Sequence, residues 1–226
     1  MKKIGILTHH YIDNYGAFLQ GYALQETVKH IFPNDQVNMI NYINRKHLIK
    51  NVLGWFRYNP KKDSWKSYCQ KIRLPKIFAN TQKKYYNLTK KIYNVKQLNQ
   101  LKLDTIIVGS DEVWNYEDIA NDPVKFGYGV NVKNLISYAP STGNANVEGN
   151  VPMYIKDGMK NFSALSTRDD NAEKLINNVL GIKPTRVLDP TLLYDFSEYS
   201  SSFVDYIKKQ KYILMYYCDK LPNEIK

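Results

Sequence analysis

Polar and glycine residues that could bind a ligand follow short apolar runs at five places in the sequence. In a doubly wound parallel sheet, ligands bind outside the carboxyl ends of the strands, so residues that follow predicted strands are the first candidates. The five segments are 9–16, 109–115, 139–143, 167–169 and 189–191. We expect these segments to form the floor of one binding site.

Segment 108–114, VGSDEVW, has the greatest concentration of such side chains. A glycine, a hydroxyl, two carboxylates and an indole follow a predicted buried strand within six residues. Ser110 and Asp111 could bind a sugar or polarise a hydroxyl group, with Trp114 as an apolar wall. The alternative is an ordinary turn in which Asp111 caps backbone N–H groups.

Segment 9–16, HHYIDNYG, places Asn14 and Gly16 at the start of a predicted helix. Unpaired backbone N–H groups at that position can hold an anion such as phosphate. The alternative is that Asp13 or Asn14 only caps the helix. The sequence contains no GxGxxG motif, so it gives no support for NAD binding.

The histidines do not predict a metal site. Adjacent His9 and His10 would point to opposite sides of an extended chain, and no third ligand follows at a suitable spacing. One of the two could act as a general acid or base, and a packed histidine is the alternative. His30 and His47 have no catalytic context in the sequence.

Arg168 follows a predicted strand and precedes two acidic residues at a predicted helix start. Its guanidinium could clamp a carboxylate or phosphate group. The alternative is an ion pair with Asp169 or another neighbouring carboxylate.

Short apolar runs alternate with helical stripes, a pattern typical of a parallel sheet with crossover helices. The expected helices are 14–32, 153–161 and 169–180, and the expected strands are 4–7, 36–42, 104–108, 135–138, 164–166 and 186–188. The predicted fold class is α/β, with a Rossmann-like doubly wound parallel sheet.

A further helix at 197–208 and a strand at 212–217 continue this rhythm. We therefore expect a Rossmann-like N-terminal domain at 1–195, followed at 196–226 by a linker helix and the first strand of an incomplete second domain. The alternative is that 212–217 adds an edge strand to the first sheet.

Composition excludes several classes of protein. The chain has 226 residues, 43% of them hydrophobic and 23% charged, as in a globular protein rather than a disordered tail. No run of apolar residues is long enough for a transmembrane helix. Its two cysteines, Cys69 and Cys218, do not form a disulfide framework, which favours a reducing, cytoplasmic compartment.

The net charge of +11 is concentrated in an insertion at residues 45–102, which has 16 basic residues and one acidic residue. Segment 45–58 predicts a basic amphipathic helix with Leu48, Val52, Trp55 and Phe56 on one side. Such a helix could lie on the inner face of an anionic membrane, and the alternative is that it packs on its own domain. Binding of nucleic acid by the same basic stretch is not favoured without a recognisable nucleic-acid fold.

Five segments together resemble the polysaccharide pyruvyl transferase family, in the order of the chain. They are NYGAFLQGYALQ at 14–25, DTIIVGSDEVW at 104–114, ISYAPSTG at 136–143, STRDDNAEKLI at 166–176 and VLDPTLL at 187–193. The resemblance covers nearly the whole chain outside the insertion. It implies the N-terminal half of a GT-B-like two-domain architecture.

The resemblance also implies an activity. Members of the family transfer a pyruvyl group from phosphoenolpyruvate to sugar hydroxyls as a ketal, without a cofactor or metal, in the synthesis of cell-surface polysaccharides. The implied partners are phosphoenolpyruvate and a glycan or lipid-linked saccharide. By resemblance Asp111 would activate an acceptor hydroxyl, Arg168 would hold the donor, and the remaining substrate contacts would come from His9, Asn14, Tyr15, Gly16, Ser110, Trp114 and Ser141.

The chain departs from the family in two ways. Members usually continue through a second half that supplies a histidine and basic residues, whereas this chain is expected to end at the first strand of that half. Glu112 stands where the family often has glutamine. The alternatives are a nucleotide-sugar glycosyltransferase on the same plan and a non-catalytic remnant that uses the basic insertion to bind a membrane or nucleic acid.

Overall fold

A computed structural model describes residues 1–60, 64–199, 209 and 211–212. Six strands and seven α-helices lie within these ranges, together with short 3-10 helices at Pro123–Phe126, Pro190–Leu192 and Ser197–Tyr199. The strands are β1 (Lys3–Leu7), β2 (Gln36–Met39), β3 (Thr105–Val108), β4 (Asn134–Ser137), β5 (Ser166–Thr167) and β6 (Thr185–Arg186). The helices are α1 (Tyr15–Ile31), α2 (Arg45–Phe56), α3 (Trp65–Lys71), α4 (Leu74–Tyr85), α5 (Val95–Asn99), α6 (Met153–Met159) and α7 (Asp170–Leu180).

Four strands form one parallel sheet in the order β2-β1-β3-β4, which confirms the α/β class. The two central strands, β1 and β3, are nearly continuous runs of buried apolar residues, because both faces of the sheet are covered there. In the edge strands β2 and β4, buried residues alternate with more exposed ones. The chain leaves β1 toward β2 on one side and returns to β3 on the other. The crevice between the carboxyl ends of β1 and β3 is therefore the switch point at which such sheets bind ligands.

The two short strands expected at 164–166 and 186–188 do not extend this sheet. β5 and β6 instead form a separate parallel pair of two residues each. A single bridge between Ile136 and Ala164 links the pair to β4, and the hydroxyls of Ser137 and Ser166 bond the two segments together. Side-chain hydrogen bonds thus replace a ladder where the strands are too short to form one.

The insertion is part of the same hydrophobic structure. Residues after α4 bridge to the end of β2 through Met39 with Leu88 and Tyr42 with Ile92. Tyr86, which is 4% exposed, donates a hydrogen bond to the carbonyl of Phe18 in α1. The expected helix at 45–58 is present as α2, and one of its faces packs on the domain.

The chain divides into two units, residues 1–194 and residues 195–226. The site described below lies wholly within the first unit. In the second, the described residues form a short 3-10 helix at Ser197–Tyr199. The rest of the helix expected at 197–208 and the strand expected at 212–217 lie almost entirely outside the described residues.

Candidate functional site

A cavity of about 500 Å³ opens at the carboxyl ends of β1 and β3. Its volume is that of a typical small-ligand site. Four of the five segments expected to form a floor contribute to its lining, which is drawn from His9, Ile12, Asn14, Gly16, Ala17, Gln20, His47, Asp111, Glu112, Asn115, Asp118, Ala120, Arg168, Asp189 and Thr191. The fifth segment, 139–143, lies behind this lining.

Asn14 and Gly16 line the cavity at the start of α1. The side chain of Asn14 accepts a hydrogen bond from the backbone N–H of Ala17 at 3.1 Å, so Asn14 is the N-cap of the helix. The cap interpretation is therefore confirmed, and it accounts for the presence of asparagine at this position.

The turn after β3 directs two polar side chains toward the cavity. Gly109 has φ 118° and Asp111 has φ 79°, and backbone conformations this sparsely populated cluster at functional sites. The hydroxyl of Ser110 accepts a hydrogen bond from the N–H of Asp111 at 2.7 Å. The carboxylate of Asp111 accepts one from the N–H of Glu112 at 2.9 Å, so Asp111 also caps its own turn.

The guanidinium of Arg168 is bound by side chains from two other segments of the site, 109–115 and 189–191. One guanidinium nitrogen, Nη1, donates to Asp189 Oδ2 and to the hydroxyl of Ser110 at 3.1 Å, and Nη2 lies 3.8 Å from Asp111 Oδ1. The ion pair that the sequence left open is thus made with Asp189 and Asp111. Asp169 instead caps α7 through a hydrogen bond from the N–H of Ala172.

The pKa of Asp189 reflects this arrangement. Burial raises it, but hydrogen bonds from Thr191 and the guanidinium of Arg168 outweigh burial and hold the pKa below its usual value. Asp189 therefore stays ionised at neutral pH and keeps Arg168 oriented toward the cavity.

Four of the residues expected at the site do not line the cavity: Tyr15, Ser110, Trp114 and Ser141. Ser110 is fully buried, and its hydroxyl accepts a hydrogen bond from Arg168. Tyr15 is 67% exposed and its ring packs on Phe78, 4.9 Å away between ring centroids. Trp114 does not form a cavity wall, because its indole is fully buried in the core and donates to the carbonyl of Lys125 at 2.9 Å.

Ser141 supports the site from behind without lining it. Its N–H donates to the carbonyl of Asp111 at 2.8 Å, and its own carbonyl accepts from the N–H of Trp114 at 3.0 Å. These bonds hold the turn that carries Asp111, so the contribution of Ser141 is to the position of that turn.

A buried lysine below the cavity was not anticipated from the sequence. Lys125 is 1% exposed, and its Nζ lies 3.0 Å from Nδ1 of His9 and donates to the carbonyl of Ala120 at 3.1 Å. Nε2 of His9 lies 3.3 Å from both the Nζ of Lys125 and the carbonyl of Glu112. Because an ammonium group can only donate, a ring nitrogen of neutral His9 accepts the hydrogen bond from Lys125.

His47 also lines the cavity, although no catalytic context was visible for it in the sequence. It lies in α2, is half-buried, and its ring centroid is 5.9 Å from that of His9. The phenol of Tyr11 lies 3.1 Å from Nδ1 of His47. The helix of the insertion thus contributes a side chain to the site.

Burial and mutual repulsion lower the pKa values of His9, His47 and Lys125. Burial, and then the charge of Lys125, hold the pKa of His9 well below its usual value of 6.5, and burial and Lys125 also lower the pKa of His47. Burial lowers the pKa of Lys125 to about 8, against the attraction of Asp122, Asp111 and Asp118. Near neutral pH, Lys125 therefore carries the positive charge while His9 is neutral.

The lysine and the histidine were missed for different reasons. Lys125 lies in the short 3-10 helix Pro123–Phe126 between two buried apolar residues, Val124 and Phe126, and that flanking pattern is the one sequence signal for its burial. His47 lies within the basic insertion, away from every segment that follows a predicted strand, and only the path of α2 brings it to the cavity.

Hydrogen-bonding groups and negative charge dominate the described lining. It contains the carboxylates of Asp111, Glu112, Asp118 and Asp189 against the guanidinium of Arg168, with the amides of Asn14, Gln20 and Asn115 between them. Such a surface suits a ligand with many hydroxyl groups. Among the residues that the structure describes, no group of three His, Cys, Asp or Glu side chains is placed to hold a metal ion.

The buried histidine next to the site predicts a loss of stability in acid. His10 is 2% exposed, and burial lowers its pKa from 6.5 to about 4. Between these two pH values the unfolded chain binds a proton that the folded protein does not, so stability is full above pH 6.5 and falls toward pH 4. We expect the free energy of unfolding to drop by about 3 kcal/mol across this window, measured by urea denaturation.

A matched pair of variants tests the assignment. His10→Asn should reduce the dependence of stability on pH and leave only the part that His9 and His47 contribute, whereas His30→Asn, at an exposed position of α1, should leave the dependence as in the wild type. An unchanged slope in His10→Asn would contradict the assignment, whatever the absolute stability of that variant.

Within the described ranges, no helix is long and apolar enough to cross a membrane.

The sequence was compared with family models, with curated proteins and with solved structures. The model of the polysaccharide pyruvyl transferase family matches residues 14–225. Neither the curated proteins nor the solved structures gave a match. The family model spans the N-cap of α1, the turn after β3, Arg168 and Asp189, so it covers the greater part of the chain and most of the cavity lining. The chain belongs to the polysaccharide pyruvyl transferase family.

Proposed function

We propose that this protein transfers a pyruvyl group from phosphoenolpyruvate to two hydroxyls of a saccharide in polysaccharide biosynthesis. The observation that carries the proposal is the group at the cavity floor, in which Arg168 lies between Asp111 and Asp189, in a chain of this family. It places a cation and ionised carboxylates beside one another, as a reaction between an anionic donor and a polyol requires.

The reaction needs an acid and a base but no change of oxidation state. A proton adds to the methylene carbon of phosphoenolpyruvate and leaves a carbocation stabilised by the neighbouring oxygen. One sugar hydroxyl attacks this carbon, phosphate departs, and a second hydroxyl attacks the same carbon to close the ketal. Of the two hydroxyl protons released, one balances the new methyl group and the other leaves with phosphate.

Asp111 is the proposed base for the acceptor hydroxyl. Its carboxylate lines the cavity, and its Oδ1 is 3.8 Å from Nη2 of Arg168. The surplus of carboxylates over cations in the lining supports a neutral, hydroxyl-rich acceptor in this part of the site. Asn14 and Asn115 offer amide donors and acceptors to the same ligand.

The donor is proposed to lie on the side of Arg168. Because Asp189 and Asp111 already compensate this guanidinium, further positive charge would help to hold a phosphate. Lys125 supplies part of it from below His9. The proposal includes a GT-B-like partner domain across the cleft, carrying further basic residues, and a cytoplasmic location, where phosphoenolpyruvate is available.

Asp111→Asn tests the proposal. The variant keeps the size of the side chain but removes the base, and general bases contribute about 10²-fold to 10⁴-fold to rate. We expect kcat for phosphate release from phosphoenolpyruvate, in the presence of a polysaccharide acceptor, to fall within that range. Formation of the ketal methyl group, followed by proton NMR, is the second readout.

The matched control is Asp157→Asn, which removes an exposed carboxylate paired with Lys160. It should leave kcat unchanged. An Asp111→Asn variant that is folded and fully active would remove Asp111 from the mechanism. Protection of the wild-type protein against thermal unfolding by a nucleotide sugar, with none by phosphoenolpyruvate, would favour glycosyl transfer instead.

A further inference from the structure

The two faces of α2 have different surroundings. Successive residues turn by about 100° around a helix, so Leu48, Val52 and Trp55 fall on the same side as His47, and all are partly buried against the domain. The side chain of Trp55 is hydrogen-bonded to that of Asp13. The sequence grouped Phe56 with this face, but Phe56 is 53% exposed and lies on the adjoining, outward face of the helix.

The outward face of α2 presents a continuous apolar stripe. Ile49, Leu53 and Phe56 are 58%, 63% and 53% exposed, and they lie one above the other at spacings of four and three residues. A monomeric protein rarely exposes large aliphatic and aromatic side chains in such an array without a partner.

Aromatic residues extend the stripe at the carboxyl end of α2. Tyr58 is 46% exposed and Trp65, at the start of α3, is 72% exposed. Both rings contact Tyr68, whose hydroxyl donates to the carbonyl of Phe56 at 3.0 Å, so α3 is joined to the end of α2. We call the set Ile49, Leu53, Phe56, Tyr58 and Trp65 the α2–α3 surface.

Basic side chains surround this surface. Lys46, Lys50, Arg57 and Lys66 are all exposed beside it. Between Arg45 and Lys66 the sequence has one acidic residue, Asp63, against seven basic ones. The surface therefore combines apolar side chains with positive charge, and its aromatic residues are of the types enriched where membrane meets water.

We infer that the α2–α3 surface binds the headgroup region of an anionic lipid bilayer. The aliphatic residues of α2 enter the boundary between headgroups and acyl chains, Tyr58 and Trp65 lie at the headgroups, and the lysines and arginines bind anionic phosphates. This inference does not depend on the proposed catalytic function.

Two other occupants fit the same observations less well. A symmetric dimer through this surface would bring the same lysines and arginines of two copies together, at a cost in repulsion. Single-stranded RNA binds by stacking its bases on aromatic rings, whereas the centre of this surface is the aliphatic pair Ile49 and Leu53.

The experiment is co-sedimentation of the full chain with vesicles. Vesicles of equimolar phosphatidylcholine and phosphatidylglycerol should bind the protein, and vesicles of phosphatidylcholine alone should not. Raising the salt from about 0.1 M to about 1 M shortens the Debye length from about 10 Å to about 3 Å and should release most of the protein. The triple variant Ile49→Ser, Leu53→Ser, Phe56→Ser should bind about 100-fold more weakly.

The matched control carries three serines at exposed apolar positions far apart on the domain, Ile31→Ser, Met153→Ser and Ile182→Ser. It should bind vesicles as the wild type does. Failure of the wild type to bind, or equal weakening in both triple variants, would overturn the inference. So would a dimer in light scattering that the first variant dissolves, or salt-sensitive binding to single-stranded RNA in place of vesicles.

Discussion

Replacing Gly109 by alanine is expected to lower the free energy of unfolding by about 3 kcal/mol or more, enough to prevent folding in a marginally stable protein. Gly109 has φ 118°, a conformation that side-chain-bearing residues rarely adopt. An added Cβ would lie 2.2 Å from the carbonyl oxygen of Tyr138 and 3.3 Å from the nitrogen of Pro140. Both are backbone atoms, so no rotation of a side chain can relieve the contact.

Gly54→Ala is the matched control. Gly54 lies in α2, and an added Cβ would meet no atom within 4 Å. Alanine in an exposed helix stabilises by about 0.5–1 kcal/mol relative to glycine, so this variant should gain stability. The two are compared by urea denaturation followed by circular dichroism. A Gly109→Ala protein within about 1 kcal/mol of the wild type would contradict the close approach of the β3 turn to Tyr138.

The close approach has a functional consequence. Gly109 lets the turn after β3 pass directly against the segment after β4, and Ser141 then bonds to Asp111 across that contact. A variant that folds with this turn displaced would move Ser110 and Asp111 away from Arg168. Substitution of Gly109 is thus expected to lower both the free energy of unfolding and the rate of the proposed reaction.

The sequence predicted the central sheet because its signals are local. β1 and β3 are short apolar runs, β2 and β4 alternate buried residues with more exposed ones, and α1 and α7 begin at the asparagine and aspartate caps of Asn14 and Asp169. These features depend on residues within a few positions of one another. The sequence did not predict that β5 and β6 form a separate pair, because strands of two residues each carry almost no periodic signal.

The site was predicted only where it follows strands. His9, Asn14, Gly16, Asp111 and Arg168 line the cavity because each follows a strand or begins a helix at the same edge of the sheet. Lys125 and His47 are brought there by tertiary contacts of a loop and of the insertion, which no local pattern encodes.

Trp114 was expected to line the site and instead lies in the core. Its position after β3 suggested a wall of the cavity, but large aromatic residues stabilise most when they are fully buried. Asp111 and Glu112 face the cavity, whereas Val113 and Trp114 are buried, and the indole of Trp114 packs on Phe126 and Phe162 in the core. A position just after a strand therefore predicts that a residue lies near the site, but it does not predict whether the side chain faces the site.

Arg168→Ala should have the largest effect on the proposed activity. The variant removes the guanidinium that joins Asp111, Asp189 and Ser110, and leaves two carboxylates unpaired at the cavity floor. Loss of one directed charge contact in a reaction centre typically costs about 10²-fold to 10³-fold in rate. We expect kcat/KM for phosphoenolpyruvate to fall by about 10³-fold, since both donor binding and the orientation of Asp111 are lost.

Stability should change far less than activity. The side chain of Arg168 is 25% exposed, and we expect a loss of about 1–2 kcal/mol, seen as a small decrease in Tm. Without the guanidinium, the pKa of Asp189 should rise toward its usual value of 3.8. Stability that depends on this ionised carboxylate is present above pH 3.8 and is lost as the pH falls, so the variant should lose less in acid than the wild type does.

Arg168→Lys and Arg186→Ala separate charge from geometry. Lysine keeps the charge but cannot direct two N–H groups in a rigid plane at Asp189 and Asp111, so its kcat/KM should lie between those of the wild type and Arg168→Ala. Arg186, 49% exposed, pairs with Asp170 outside the cavity, and Arg186→Ala should change kcat/KM by no more than about twofold. Equal kinetics for the wild type and Arg168→Ala would place the donor elsewhere. A full recovery by lysine would mean that the charge of Arg168 matters and its hydrogen-bond geometry does not.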